Sequence, residues 1–187
     1  MHRTPGSAGN RRQVTLSYWL KRSGLGTQQV HFHAVTNYWQ FPATDKMGGD
    51  ADGSGDWRTN QVFRDPSAWY HFVYAFDTDQ TTGFDRLQIY VNGVEITSWE
   101  AWTDITINTD LSITNSTIQY WGAHGGSYWL DGYLSQVALI DGQQLTPSSF
   151  GEFDDNGIWR PIDITGLTFG TTGYLLDFAD SSNLGND

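Results

Sequence analysis

Three histidines have the residue type and the spacing that could hold a metal ion. His31 and His33 are separated by one residue in an alternating segment, so their imidazoles share one side of a strand, and His71 lies in a second such segment. Three imidazoles on one face can coordinate a transition metal. The alternative is that they are ordinary polar groups on a solvated sheet face, and this is the interpretation we favour.

Aromatic and neutral polar side chains occupy the corresponding positions of several such segments. If the intervening apolar side chains form the core, the opposite face carries Thr15, Ser17, Trp19, His31, His33, His71, Gln88 and Tyr90. Sugars bind to such faces because their C–H surfaces stack on aromatic rings while their hydroxyls pair with amides and imidazoles. The candidate carbohydrate-binding residues are therefore Trp19, His31, His33, His71 and Tyr90.

Two alternatives stay open for these aromatic residues. Loops or a second sheet can cover the face, in which case Trp19 and His71 pack inside the protein. Six further tryptophans offer a second sugar platform if they lie in loops; they are Trp39, Trp57, Trp99, Trp102, Trp121 and Trp129. Nine tryptophans in one domain are also expected to serve the core and subunit contacts.

Alternating apolar residues predict the strands that must position these side chains. Strands are expected over residues 14–21, 30–35, 57–63, 69–77, 87–91, 117–122, 127–130, 133–140 and 173–178. Residues 42–56, rich in Gly and Asp, are expected to form a long loop, and residues 146–152 a turn with one helical turn. Two layers of strands would enclose Tyr18, Phe72, Tyr74 and Ile89.

The dipeptide Asn92-Gly93 marks the clearest local feature of the chain. It separates two alternating runs, and both central residues of a type I′ turn need a positive φ, which Asn and Gly adopt most readily. The sequence therefore predicts a two-residue β-hairpin at this point.

Composition agrees with an all-β fold. Helix-favouring Lys, Glu and Met are scarce, aromatic residues make up 15% of the chain, and Gly is abundant. Strands linked mostly by hairpins predict an antiparallel two-sheet jelly-roll sandwich. We expect residues 1–12 to form an N-terminal arm and residues 13–187 a single sandwich domain.

Charge and the absence of cysteine exclude several classes of function. The chain has 187 residues and a net charge of -11, which disfavours both nucleic acid and an anionic membrane surface. Its apolar runs are far too short to insert into a membrane. Cysteine is absent, so disulfides and thiolate chemistry are excluded. The basic Arg3, Arg11 and Arg12 contrast with the acidic body; they are expected either to pair with carboxylates of a neighbouring subunit or to belong to a frayed terminus.

Four segments together carry a family resemblance. They are residues 15–21 (TLSYWLK), 69–74 (WYHFVY), 86–93 (RLQIYVNG) and 130–137 (LDGYLSQV). In this order they resemble the concanavalin A-like lectin/glucanase superfamily, in its laminin G-like and pentraxin-like branch. Residues 3–11, 63–69, 140–143 and 147–152 further resemble the form of this domain found in virion proteins of tailed marine and cyanobacterial phages.

The resemblance implies a non-catalytic phage fibre, spike or head-decoration protein at the extracellular virion surface. Its expected partners are other virion proteins, host glycan or both, and we expect a homo-oligomer. A purely structural assembly module without glycan binding is the first alternative, and a polysaccharide-degrading enzyme is the second. Relatives of this form often have further chain on both sides, so we expect a segment of a longer protein or ends completed by another chain.

The same resemblance implies a calcium site. Laminin G-like and pentraxin-like relatives often hold Ca²⁺ in rim loops with Asp and Asn oxygens, which are the hard ligands that Ca²⁺ prefers. The candidate ligands are Asp50, Asp52, Asp77, Asp79, Asn92 and Asp131, with Asp56 in the first loop. The alternative is that these side chains only stabilise turns.

Hydrolysis is not expected. Glucanase members of the superfamily resembled here use Glu-x-Asp-x-x-Glu on a strand, with one Glu as nucleophile and the other as acid/base. Glu95, Glu100 and Glu152 are the glutamates of this chain. Glu152-Phe-Asp154 begins the pattern, but Gly157 stands where the second Glu should fall.

Overall fold

The computed structural model describes residues 1–182, 184 and 185. In chain order the strands are β1 (His2–Arg3), β2 (Gln13–Arg22), β3 (Gln29–Ala34), β4 (Asn37–Phe41), β5 (Lys46–Ala51), β6 (Gly55–Val62), β7 (Tyr70–Asp77), β8 (Leu87–Val91), β9 (Val94–Glu95), β10 (Trp99–Trp102), β11 (Gln119–Trp121), β12 (Gly132–Asp141), β13 (Gly151–Phe153), β14 (Trp159–Pro161) and β15 (Tyr174–Leu176). Two short 3-10 turns, Phe84–Arg86 and Pro147–Ser149, interrupt them. Among the described residues no helix is long and apolar enough to cross a membrane.

Two large antiparallel sheets form a sandwich. Sheet A has the order β1-β11-β3-β4-β5-β6-β10, and sheet B has the order β15-β12-β2-β7-β8-β9. Strands β13 and β14 form a separate small hairpin. Neighbours such as β12 and β2 are distant in sequence, which is the crossing connectivity of a jelly roll and confirms the expected fold class.

The core lies between the two sheets. Alternation along β2 and β7 sends every second side chain inward, and Tyr18, Phe72, Tyr74 and Ile89 are all at most 1% exposed. Sheet A contributes indole rings to the same cluster, with Trp39, Trp57 and Trp121 buried. These three tryptophans are strand residues of the core and not loop platforms.

The predicted hairpin at Asn92-Gly93 is confirmed. Both residues have positive φ, 49° and 80°, and Val91 pairs with Val94 across the turn. The Asn92 Oδ1 atom also accepts a hydrogen bond from the His71 backbone N–H at 2.8 Å. This contact ties the turn to the start of β7.

Several local expectations were wrong. Residues 42–56 form no long loop, because β5 and β6 pair as a hairpin and include Gly48, Gly49 and Gly55 as strand residues. Residues 127–130 form no strand and carry only an isolated bridge between His124 and Ser127. Strands β4, β10, β13 and β14 lacked clear two-residue alternation in the sequence, and we did not predict them.

The N-terminal segment lies against the sandwich. Strand β1 pairs with β11 at the edge of sheet A, and the Gly9 N–H donates to the Thr114 carbonyl. Arg12 donates through Nε to Asp110 at 2.9 Å and through Nη1 to Asp79 at 3.0 Å. The basic side chains of this segment therefore pair with carboxylates and carbonyls of their own chain, and the expectation of a frayed terminus was wrong.

Candidate functional site

The outer face of sheet B is largely covered by the chain that follows β12. Val73, Ala75, Tyr90, Ala138 and Ile140 project outward from the sheet and are buried. Their cover comes from residues of the C-terminal third, among them Phe150, Ile164, Leu167 and Phe169. The face is therefore a second apolar core along most of its length.

One end of this face stays open as a cleft. It has a volume of about 500 Å³ and is lined by Trp19, Trp69, Ser135, Gln136, Trp159, Pro161 and Asp177. Strands β2, β12 and β14 each contribute to it, together with the residue that precedes β7. We call it the tryptophan cleft.

Three rings are in contact in the wall of the cleft. The rings of Trp19 and His71 lie 4.9 Å apart at 23°, and those of His71 and Trp159 lie 5.9 Å apart at 22°. Trp19 stacks on the buried His71 ring, whereas Trp159 meets the edge of that ring through its indole N–H, and these contacts fix the orientation of both indoles. Indole faces suit the flat C–H face of a sugar ring.

Hydrogen bonds determine the state of the central imidazole. The Trp159 indole N–H donates to Nδ1 of His71 at 3.0 Å, so His71 carries its proton on Nε2. That Nε2–H donates to Ser17 Oγ at 2.8 Å. Burial lowers the pKa of His71 from 6.5 to about 3, so the ring is neutral at physiological pH.

Polar groups converge on the aromatic wall. The Trp19 indole N–H is buried and has no hydrogen-bond partner among the described residues. Gln136 sits at a β-bulge with φ 47°, and its side-chain N–H donates to the Ile162 carbonyl, so its amide plane is held beside the cleft. Asp177 is exposed at the far end and accepts from the Ala179 backbone N–H.

The five sequence-predicted sugar-binding residues do not form one face. Trp19 and His71 belong to the wall of the cleft, whereas Tyr90 is buried under the C-terminal cover. His31 is fully buried in the core, where Nδ1 and the Tyr18 hydroxyl lie 2.5 Å apart. A bulge between β3 and β4 shifts the register at this point and reverses the expected side of the strand.

His33 lies on the outer face of sheet A, on the opposite side of the molecule from the cleft. Its ring lies 4.0 Å from that of His124 and 5.8 Å from that of Tyr120. Burial, followed by the neighbouring His124, lowers the pKa of His33. Each imidazole therefore occupies a different layer, and the three do not form the metal site considered from the sequence. The interpretation that we favoured, polar groups on one solvated sheet face, was also wrong, because His31 and His71 are buried.

The candidate calcium ligands are engaged within the chain. The carboxylate of Asp52 accepts four hydrogen bonds, from Thr36, Asn37 and twice from Ser112. Asp77 accepts from Gln13, Gln80 and the Asp79 backbone N–H. The remaining candidates are bonded as well. Asp50 accepts from the Gly53 backbone N–H, and Asp79 accepts from Arg12. Asn92 accepts from the His71 backbone N–H, and the backbone carbonyl of Asp131 accepts from the Ser23 N–H.

These oxygens do not fit a calcium site. No group of three or more acidic or histidine side chains in the described part of the chain is placed to hold a metal ion. The donors that surround Asp52 are backbone and side-chain groups whose hydrogen bonds a cation would have to break. Asp50 stabilises a local turn at Gly53, whereas Asp52 and Asp79 bond to side chains that are distant in the sequence.

The three glutamates lie apart. Glu95 is in β9 of sheet B, Glu100 is in β10 of sheet A, and Glu152 is in the small hairpin. Glu100 is engaged by Lys46 at 2.6 Å. A glycosidase needs two carboxyl groups, one on each side of the scissile glycosidic bond. These three glutamates lie on different sheets and are not placed as such a pair.

Sequence reasoning missed most of the cleft. Trp69 stands two residues before His71, and this spacing places it on the same strand face, so alternation alone could have identified it. Nothing local marks the others, because they come from distant segments. These are Ser135, Gln136, Trp159, Pro161 and Asp177.

The fold defines the class of the protein. Two packed antiparallel sheets in jelly-roll order make it a lectin-like β-sandwich. The chain belongs to the concanavalin A-like lectin/glucanases superfamily, whose laminin G-like family model matches residues 3–149. Comparison with the sequences of curated proteins gives no match.

Solved structures share the fold at low identity. A putative carbohydrate binding protein from Bacteroides ovatus superposes with a TM-score of 0.65 at 17% identity, covering 95% of this chain and 49% of its own. The heptameric SAP-like pentraxin of Limulus polyphemus gives 0.55 at 16% identity, covering 78% and 70%. Domain 4 of an extracellular arabinanase from Geobacillus stearothermophilus, solved with arabinotriose, gives 0.53 at 18% identity, covering 75% and 65%.

Proposed function

We propose that this protein is a non-catalytic module that binds glycan in the tryptophan cleft. One observation carries the proposal: Trp19, Trp69 and Trp159 line one cleft beside the polar side chains of Ser135, Gln136 and Asp177. Sugar rings need apolar platforms with a few directed hydrogen-bonding groups, and the cleft combines both. Two structural neighbours support the same class of ligand: one is a putative carbohydrate binding protein, and the other is an arabinanase domain solved with arabinotriose.

We expect the cleft to bind a glycan without cleaving it. Among the described residues that line it, Asp177 is the one carboxylate, and the glutamates lie on other elements. A retaining or an inverting glycosidase needs two carboxyl groups across the scissile bond. We therefore expect no release of reducing ends when the protein is incubated with a polysaccharide that it binds.

We place this module at the surface of a tailed-phage virion, as a fibre, spike or head-decoration protein. The support is the resemblance carried by residues 3–11, 63–69, 140–143 and 147–152. In that setting the glycan would belong to the surface of the host cell. The acidic body, with a net charge of -11, favours a neutral glycan over an anionic one.

Assembly without glycan binding is the second candidate. The small hairpin exposes Phe153 and Ile158, and Val94 is exposed on β9. Apolar side chains of this kind suit a contact with a neighbouring virion protein or with another copy of the chain. A stable oligomer that binds no glycan would favour this function.

Binding to a glycan array, followed by calorimetry with the best oligosaccharide, tests the first proposal. Trp159→Ala should weaken binding about tenfold or more, because it removes one platform and the donor that holds His71. Trp129→Ala is the matched control, since Trp129 is 62% exposed and does not line the cleft. Equal loss in both variants would place the site elsewhere, and an array without binding would leave assembly as the function.

A further inference from the structure

The tryptophan cleft is continued by a second row of outward side chains on sheet B. Ser135 pairs with Trp19 across β12 and β2, and Tyr133 pairs with Lys21 one step further along. The intervening Leu20 and Leu134 pack against the core, so Tyr133 and Lys21 project on the same side as the cleft.

Trp69 completes this row on the third strand. Tyr70 pairs with Leu20 and packs against the core, so Trp69 falls at the next register position, beside Lys21 and on the outer face. Tyr133 is 61% exposed and Trp69 is 41% exposed. Two accessible rings thus flank one lysine at the open end of the cleft.

Lys21 is the cation of this row. It makes no hydrogen bond or ion pair within 4 Å in the part of the chain that the structure describes, although its charge, after the hydrogen bonds from Ser67, helps to lower the pKa of the Asp65 carboxyl. Lys46, the other lysine, is held by Glu100. An ammonium on a flexible stem between two rings can donate to several sugar hydroxyls. The row Tyr133–Lys21–Trp69 therefore has the same mixture of groups as the cleft.

A second cavity adjoins the cleft at Asp177. It has a volume of about 500 Å³ and is also lined by Phe169, Gly173, Tyr174, Leu175, Ala179 and Asp180. The cleft thus has a ring-lined extension along sheet B and an adjoining cavity at Asp177. A pocket that bound only a single terminal sugar would be closed off at one of these two places.

We infer that Tyr133, Lys21 and Trp69 form a further subsite, and that the ligand is an internal stretch of a neutral polysaccharide chain. Residues two apart on a strand are separated by about 7 Å, roughly the length of one sugar residue, so the new row would contact the next residue of the chain. This inference rests on the proposed glycan binding. It adds the length of the ligand and the role of Tyr133.

Calorimetry with cello-, manno-, xylo- and chito-oligosaccharides of one to six residues tests it. Affinity of the wild type should rise about tenfold or more between the disaccharide and the tetrasaccharide of the series that binds. Tyr133→Ala should remove most of that gain and leave disaccharide affinity within about twofold. Tyr128→Ala is the control. Tyr128 is 49% exposed and does not line the tryptophan cleft, so this variant should keep the gain in affinity with chain length.

The two hypotheses fail in different ways. Affinity that is independent of chain length, but is lost in Trp159→Ala, would overturn the further subsite and retain the cleft. An equal effect of Tyr133→Ala and Tyr128→Ala would also overturn it. Absence of binding by any oligosaccharide to the wild type would overturn both.

Discussion

Trp159 donates its indole N–H to Nδ1 of His71 over 3.0 Å, across 88 positions of sequence. The indole can only donate, so this bond selects the tautomer in which His71 donates from Nε2 to Ser17. The small C-terminal hairpin is thereby linked to β7 and β2 of sheet B. The same link orients two of the three tryptophans of the cleft.

We expect His71→Phe to destabilise the protein by about 1–3 kcal/mol, because it leaves the partly buried Trp159 N–H without an acceptor and Ser17 without a donor. Urea unfolding of the wild type, His71→Phe, Trp159→Phe and the double variant measures this. The double variant should cost less than the sum of the single variants, since both remove the same bond. Strict additivity would show that the bond contributes nothing to stability.

Gly93 should matter for the cleft as well as for the hairpin. A Cβ at this position would lie 2.5 Å from Cε3 of Trp159, and the residue has φ 80°. Gly93→Ala should therefore lower both stability and glycan affinity by displacing the indole. Gly26→Ala is the matched control, because Gly26 has φ 70° with open space around it. Equal stability losses and unchanged affinity in the two variants would contradict the contact with Trp159.

Stability should fall at acid pH. Burial lowers the pKa of His31 and of His71 from 6.5 to about 3 in the folded protein. Between these values the unfolded chain binds more protons, so each histidine should remove roughly 1 kcal/mol of stability per unit of pH decrease below about 6.5. Urea midpoints between pH 7 and pH 4 measure this.

A variant pair isolates the contribution of one histidine to that pH dependence. His31→Phe should reduce the slope of stability against pH, even if its stability at pH 7 is lower. His2→Gln, a change on the exposed first strand, should leave the slope unchanged. The same slope in the wild type and His31→Phe would mean that other groups control acid unfolding.

Calcium should leave the melting temperature unchanged. The Asp52 oxygens accept four hydrogen bonds from Thr36, Asn37 and Ser112, so a cation would replace contacts that already stabilise the fold. Thermal scans in about 1 mM Ca²⁺ and in EDTA compare the two states. Asp52→Asn should lower the melting temperature equally in both. A rise of several degrees with calcium in the wild type, lost in Asp52→Asn, would establish a site.

Much of the fold was predictable from local pattern. Alternation in β2, β7 and β8 identified the inward side of each strand, because side chains on a strand repeat every two residues whatever the partner strand is. Asn92-Gly93 identified its own turn for a similar reason, since positive φ is a property of the residues themselves. Tyr18, Phe72, Tyr74 and Ile89 could thus be assigned to the core without coordinates.

The position of His31 and the composition of the cleft were decided only by tertiary structure. A bulge in the β3–β4 pairing reversed the side of His31, and pairing between strands leaves no mark in the sequence of one of them. The C-terminal third buried Tyr90 and brought Trp159 and Asp177 to Trp19, from positions about 140 and 160 residues away along the sequence. Such convergence follows from how the layers pack, whereas local periodicity specifies only which side of its own strand a residue occupies.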